Sequence, residues 1–466
     1  MFQFTLHNQD FHHIHFIGIG GISMSGLAEL MHSEGYTISG SDAKESSITK
    51  HLMDLGIKVS YGHSEGNIQG ADLVVYTDAI SMNNPEFQAA LRSKVDLVDR
   101  ASFLGAIMRN YRTSIAVSGT HGKTTTTSMI ATAMKDHPAR PTIMLGGILG
   151  DLKGNIQVGE DEYFLTEACE YRANVLKYFP TTAIILNIDE DHLDFFDNIE
   201  HILQTFEGYV VNLGEEGILI LNKDDANTMT MAAKAKARIV TVSQNGEADY
   251  EAREVTVSDS GLPSYELWIR GEKHGQVQLG VMGLHNVSNS LAAIASMVEN
   301  GVPVDQAVSG VQRYHGVGRR LEYKGNLSGI TIYDDYAHHP TEIQTSLNAL
   351  RSVTKNRLIT IFQPHTYTRT KLLLDSFATS FGIADLTIIT DIYAAREKDY
   401  GDIHSKTLVD AIRQQGDTAC YMSGFEEVKE FILKHGQPGD LVVTMGAGDV
   451  YQIGEMLLKT ESEASA

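Results

Sequence analysis

Residues 118–128 read SGTHGKTTTTS and directly follow the apolar run Ile115-Ala116-Val117. A short strand here feeds a glycine loop, then a lysine with hydroxyls, then the helical run of residues 129–134. Loop N–H groups and a helix N-terminus in this order form a cradle for phosphate oxygens. Gly119, Thr120, His121 and Gly122 make the loop, and Thr125 follows it. Lys123 is placed against the outer phosphates of a nucleoside triphosphate, and the Thr124 hydroxyl completes a Mg²⁺ shell. The full Walker pattern asks for a glycine five residues before Gly122, where Val117 stands. The loop is therefore a shortened G-x-x-G-K-T-T form. The plainer alternative is a Gly/Thr-rich turn with a chance lysine; the strand–loop–helix setting favours triphosphate binding.

Other clusters sit at similar strand ends. Gly18-Ile19-Gly20-Gly21, with Ser23 in place of a third glycine and Asp42 about twenty residues on, suits a nucleotide or pyrophosphate turn. NAD is one option for it, and a structural turn is the other. Glu167 and Glu170 flank Cys169, expected to be buried, and Asn187-Ile188-Asp189-Glu190-Asp191-His192-Leu193-Asp194 ends another apolar run. Carboxylates of this kind hold Mg²⁺ together with substrate phosphates, and His192 adds a ligand or an acid–base group. Alone, each is a solvated strand end; beside a phosphate loop, the metal reading gains. Asn222-Lys223-Asp224-Asp225 and Asp151-Leu152-Lys153-Gly154 fit the N-K-x-D and D-x-x-G patterns of GTPases, although the loop is too short for that spacing. Near the C-terminal end, Asp334-Asp335-Tyr336-Ala337-His338-His339-Pro340 and Gln363-Pro364-His365-Thr366-Tyr367-Thr368-Arg369 end successive strands. Arginine beside a carboxylate suits a small zwitterion, gripping its α-carboxylate while the acid holds the ammonium. A His-rich surface loop is the alternative. Gly446-Ala447-Gly448-Asp449 reads equally as a strand-to-helix turn.

These clusters need elements to hold them. Three regions alternate apolar strands with helical periods, as α/β folds do. The first opens IHFIGIGGISMSGLAELMHSEG, a strand, a turn and a helix closed by Gly35, followed by strand-like TISGSD and LVVYTDAI. The second holds the phosphate loop, YFLTEACE, TTAIILNIDEDHLDFF and GILILNKDD, then a β-rich stretch over residues 238–281 and the helix NSLAAIASMVENG. A basic joint, HGVGRRLEYKGN, leads to a third region with strands at GITIYDDYAHHP, RLITIFQPH, LTIITDIYAA and DLVVTMGAGD. The tail KTESEASA is expected to fray. Ligands of open parallel sheets bind at the carboxyl ends of strands, where nearly every cluster above lies.

The 466 residues suffice for about three domains. With 37 basic and 59 acidic side chains, the formal charge is -22, which argues against nucleic acid or anionic lipid as partner. Two cysteines give no disulfide framework and suit a reducing cytoplasm. No secretory leader pattern and no run of membrane-spanning length is visible.

At these motifs the chain resembles the Mur ligases, the family that builds the peptide stem of bacterial cell-wall precursors. The likeness runs in order over nearly the whole chain: IGIGGISMSGLA with SGSD, SGTHGKTTTT, NIDEDHLDFF, GLHNVSNSLAA, GVGRRLEY and DDYAHHPTEI. It implies a Rossmann-like UDP-sugar domain over 1–108, a P-loop ATPase-like domain over 109–318 and a Rossmann-like amino-acid domain over 319–466. It assigns Gly18, Gly20, Gly21, Ser23 and Asp42 to the UDP-sugar. Gly119 to Thr125 then bind ATP, with Asn286, Arg320 and Asp335 on its nucleoside side. Lys123, Glu167 and His192 become catalytic, with Thr124, Glu167 and His192 as metal ligands and His192 the candidate base. Tyr336, His365 and Arg369 line the amino-acid pocket. GISMSG, DDYAHHPTE, FQPHTYTRT and TMGAGD look most like the member that joins L-alanine to UDP-N-acetylmuramate with ATP and Mg²⁺. The alternative is the recycling member that attaches a tripeptide. Thr366 departs from the pattern, standing where many relatives carry an arginine. One expected carboxylate contact goes with it.

Overall fold

A computed structural model describes residues 2–6, 11–150 and 154–464. The chain forms two compact units, Met1–Ile188 with Ile202–Val242 and Ala292–Val311, and Asp189–His201 with Ser243–Leu291 and Gln312–Ala466. The architecture is α/β, built on mostly parallel sheets.

The first unit opens with five parallel strands in the order Lys58–Tyr61, Thr37–Asp42, His13–Ile17, Leu73–Tyr76, Asp96–Asp99. The order reverses beside His13–Ile17, which leaves a crevice at the carboxyl edge there. Ile14, Phe16 and Ile17 are fully buried, so this strand is the centre of its core. The helix Ile22–Ser33 ends as expected at Gly35, whose φ of 90° lets Tyr36 N–H reach back to the Met31 carbonyl.

The second sheet of this unit runs Arg238–Ser243, Ile218–Asn222, Thr182–Ile185, Thr113–Ser118, Glu160–Glu167, Pro141–Leu149, all parallel, with Gly154–Gln157 antiparallel at its edge. The helix Lys123–Met134 is buried along its middle, from Thr126 to Thr132. One neighbour approaches it so closely that only glycine fits. A Cβ on Gly310 would stand 2.1 Å from that of Ala133.

The second unit carries the sheet Glu322–Leu327, Ile330–Asp335, Leu441–Met445, Leu358–Phe362, Leu386–Ile389, Ala419–Tyr421, antiparallel only in its first pair. Leu358 and Phe362 face one core while Ile359 and Ile361 face another. A strand covered on both faces reads as an unbroken apolar run. In an antiparallel meander, Tyr250–Val257, Pro263–Ile269 and Glu272–Gln278, the middle strand buries alternate residues, with the Tyr265 hydroxyl 2.8 Å from Ser290 Oγ.

Three expectations are corrected. The basic joint contains the edge strand Glu322–Leu327 rather than a linker alone. Strands Lys58–Tyr61, Asp96–Asp99, Pro141–Leu149 and Gly154–Gln157 had no clear sequence signal, being short, polar or glycine-broken. The polar tail continues the helix Tyr451–Ala464 as far as Ala464, and its last two residues lie outside the described residues. Among the described residues, no helix is long and apolar enough to cross a membrane.

Candidate active site

The phosphate loop closes on itself through glycine. Gly119 and Gly122 take φ of 122° and 86°, which side chains resist, and Gly122 is the N-cap of Lys123–Met134. Asn187, at the end of the neighbouring strand, holds the loop. Its carbonyl accepts from Thr120 N–H at 3.0 Å, its Oδ1 from His121 N–H at 2.7 Å, and its Nδ2 donates to the His121 carbonyl. The Lys123 ammonium donates to the carbonyls of Gly119 and Thr120 and to both oxygens of Glu170, at 3.2 and 3.0 Å. Burial alone would lower the Lys123 ammonium; the Glu170 carboxylate outweighs it and holds it charged. Glu170 is buried, so this pair is the charge balance of the loop.

Thr124 Oγ1 donates to Glu167 Oε2 at 3.0 Å, and Glu167 Oε1 accepts from Gly146 N–H at 2.8 Å. Neighbouring ligands of octahedral Mg²⁺, at about 2.1 Å each, stand about 3 Å apart. The hydroxyl and carboxylate present therefore fit that ion. Cys169, between the two glutamates, is half-buried rather than buried.

The N-terminal glycine turn is held by its own acid. Gly20 N–H donates to Asp42 Oδ2 at 2.9 Å, and a Cβ on Gly20 would meet that same oxygen. Asp42 thus fixes the turn. Gly18 has φ of 81°, and Gly21 caps Ile22–Ser33 with no side-chain cap. Ser23 Oγ accepts from the Arg100 guanidinium at 3.2 Å.

His192 belongs to the second unit, with the segment Asp189–His201, and takes a left-handed φ of 55°. Its neighbour Asp191 binds Arg369, accepting on Oδ1 from Nη2 at 2.8 Å and Nε at 3.2 Å. Arg369 Nη1 lies 3.3 Å from His365 Nδ1. The rings of Tyr336, His338, His365 and Tyr393 follow one another at 5.3, 5.8 and 5.7 Å. Thr366, with φ of 66°, caps the helix Tyr367–Leu372 by accepting from Arg369 N–H. The threonine that replaces the expected arginine thus seats Arg369.

Asp335 is buried and accepts from Leu321 N–H at 2.8 Å and Ala337 N–H at 2.7 Å. It shapes the turn that presents Arg320, which pairs with Glu342 at 3.8 Å. Burial pushes the Asp335 carboxyl up to about 6 against the pull of Arg320. Asn286 is also buried, donating to the Met282 carbonyl at 2.7 Å and accepting from Asn289 at 2.9 Å. Sequence reading missed Arg319. Its guanidinium locks the 446–449 turn through the carbonyls of Gly446 and Gly448 and pairs with Asp334. The doubled Arg319-Arg320 was the only signal for it. His339 is a helix N-cap, accepting from Thr341 N–H, rather than a surface histidine. The Asn222 to Asp225 decoy is a turn: Asp225 caps the helix Ala226–Thr230 and Asn222 donates to the Leu186 carbonyl. Its companion at Asp151, Leu152 and Lys153 lies outside the described residues.

Burial pushes His338 down to about 4, and burial with the charges of His338 and Arg369 pushes His365 down to about 3. In the unfolded chain both titrate near 6.5. Between these values the unfolded state binds more protons, so stability rises with pH and is fully present above about 6.5. Asp335, with its raised carboxyl, works in the opposite sense between about 4 and 6, but the two histidines together outweigh it, so the urea midpoint of the second unit is expected to fall as pH drops from about 6.5 towards 4. A flat midpoint over that range contradicts the buried neutral histidines.

Residues 13–112 match the Mur ligase family, catalytic domain, residues 117–297 the Mur ligase middle domain, and residues 319–448 the Mur ligase, glutamate ligase domain. The chain is 47% identical over 450 residues to the UDP-N-acetylmuramate–L-alanine ligase of Acetivibrio thermocellus, covering 96% of each. It is 48% identical over 448 residues to the ligase of the same name from Agathobacter rectalis, covering 96% of this chain and 98% of that one. Among solved structures, the UDP-N-acetylmuramate-alanine ligase of Thermotoga maritima superposes with a TM-score of 0.80 at 28% identity, over 97% of this chain and 99% of that one. A murein peptide ligase of Psychrobacter arcticus follows with a TM-score of 0.71 at 27% identity, over 96% and 98%. The guanine-nucleotide and nicotinamide readings find no support in these matches. With this likeness over nearly all of its length, and a shortened phosphate loop built as described, the chain belongs to the Mur ligase family.

Proposed function

We propose that this chain joins L-alanine to the muramate carboxylate of UDP-N-acetylmuramate, using ATP, in cytoplasmic synthesis of the peptidoglycan precursor. The likeness to ligases of that name at 42–48% identity over nearly the full chain carries this reading over the tripeptide alternative. The domains divide the work as 1–108 for the UDP-sugar, 109–318 for ATP and 319–466 for the amino acid.

The muramate carboxylate attacks the γ-phosphorus of ATP and releases ADP, leaving an acyl phosphate. The L-alanine amine then adds to that carbonyl, and phosphate leaves from the tetrahedral intermediate. Phosphoryl transfer asks for positioning and charge neutralisation. Lys123 supplies a cation that Glu170 keeps protonated and aimed into the loop. Thr124 and Glu167 are the residues to hold Mg²⁺, which neutralises phosphate charge when bound. Gly18, Gly20, Gly21 and Ser23 form the turn that receives the UDP-sugar diphosphate, at the N-terminus of the helix Ile22–Ser33, which has no side-chain cap. Arg369, fixed by Asp191 through Nε and Nη2, is assigned to the α-carboxylate of alanine through its remaining edge beside His365. Tyr336 lines that pocket, and Asn286, Arg320 and Asp335 serve the nucleoside side of ATP. His192 is the candidate base for the alanine amine.

Phosphate release from MgATP with UDP-N-acetylmuramate tests this, with L-alanine, the tripeptide or no amine added. Release that requires L-alanine is the expected result. Release only with tripeptide overturns the choice of amine.

A further inference from the structure

Glu86 is a fully buried carboxylate that the reaction does not use. It starts the helix Pro85–Ser93, just after the strand Leu73–Tyr76 and its loop. Its Oε2 accepts from Ser41 Oγ at 2.6 Å and His15 Nε2 lies 3.1 Å away. Its Oε1 accepts from Asn67 Nδ2 at 2.6 Å and Ser64 N–H at 3.3 Å, with His63 Nδ1 at 3.4 Å. Burial alone would raise this carboxyl, but the bonds from His15, Ser41 and Asn67 bring it down to about 2. Only an ionised carboxylate accepts on both sides; a glutamine would turn its amide N–H groups towards one set of donors.

The donors come from three other segments around the point where strand order reverses: His13–Ile17, Thr37–Asp42 and the loop after Lys58–Tyr61. The Ser41 bond leads straight to the glycine turn. The Ser41 carbonyl accepts from Gly18 N–H at 2.8 Å and Ile19 N–H at 3.0 Å, and Asp42 next to it accepts from Gly20 N–H. Asp42 in turn accepts, through its carbonyl, from Gly62 N–H at 2.8 Å, tying in the third segment.

We propose that Glu86 is a positioning residue for nucleotide-sugar binding: acting through Ser41, it sets the glycine turn that receives the diphosphate. The assignment rests on the proposed binding of UDP-N-acetylmuramate at that turn. Glu86 touches no reacting atom. Its effect falls on affinity for one substrate.

Calorimetric titration of the full-length protein with UDP-N-acetylmuramate, and separately with MgATP, tests it in wild type, Ser41→Ala and Glu86→Gln. Loss of one charge-assisted bond in Ser41→Ala is expected to weaken nucleotide-sugar binding about tenfold. Glu86→Gln weakens it further, MgATP affinity holds, and kinetics show a raised KM for the nucleotide sugar with kcat at saturation preserved. Unchanged nucleotide-sugar affinity in Ser41→Ala overturns the proposal, as does an equal loss of MgATP affinity, which marks a general loosening. Should Glu86→Gln not fold, Ser41→Ala alone decides. A wild-type protein that binds no UDP-N-acetylmuramate overturns the functional reading itself; one that binds it as tightly as the variant overturns only the role of Glu86.

Discussion

Replacing Lys123 by alanine is expected to lower kcat by about 10²–10³-fold, the usual cost of losing one stabiliser of transition-state charge. The variant also leaves Glu170 buried without its cation, and an uncompensated buried charge costs about 3–5 kcal/mol. Activity loss and destabilisation are therefore mixed in the single variant. The double variant Lys123→Ala with Glu170→Gln separates them: the unfolding midpoint recovers, whereas phosphate release from MgATP does not. If the double variant regains both, Lys123 acts only as the partner of Glu170. Near-wild-type turnover in Lys123→Ala removes the phosphate-loop assignment altogether.

Asp191→Ala carries the second large effect, on stability. The side chains of Asp191 and Arg369 are 9% and 12% exposed, and Arg369 gives two donors to one carboxylate oxygen. Burial by itself would raise the Asp191 carboxyl; His192 and the Arg369 guanidinium reverse this and hold it well below the usual carboxylate range. Removing one partner of such a pair costs about 3–5 kcal/mol, because the other remains buried and charged. Chemical denaturation of Asp191→Ala is expected to show a loss of that size in the second unit. A matched apolar pair, Asp191→Leu with Arg369→Met, recovers most of it. The KM for L-alanine, by contrast, stays high in both variants, since the guanidinium is either unheld or gone. An unchanged midpoint in Asp191→Ala contradicts the buried pair.

Asp191 also shows where sequence reading stopped. As part of NIDEDHLDFF it ended an apolar strand beside the phosphate loop and was read as one of a metal-binding group. In the fold its segment joins the second unit, and its partner lies 178 residues away. Asp335 and Asn286 are assigned to the nucleotide by resemblance, and the fold adds a local role, each bracing its own turn through bonds to backbone and, for Asn286, to a neighbouring amide. Thr366 read as a lost contact and proves to cap the helix of Arg369. Each of these depends on who is near in space.

Parts whose causes are local were legible in the chain. Glycines at 119 and 122, a lysine and a threonine after an apolar strand specify the phosphate loop, because positive φ and an open helix N-terminus are properties of neighbouring residues. Long apolar runs likewise specified the central strands of each sheet, since burial on both faces demands them. The matching of charges emerged from packing: Glu170 to Lys123, 47 residues apart, and Arg369 to Asp191, alongside the donors around Glu86. A buried charge must find its partner wherever packing brings one, and chain order carries no record of that choice.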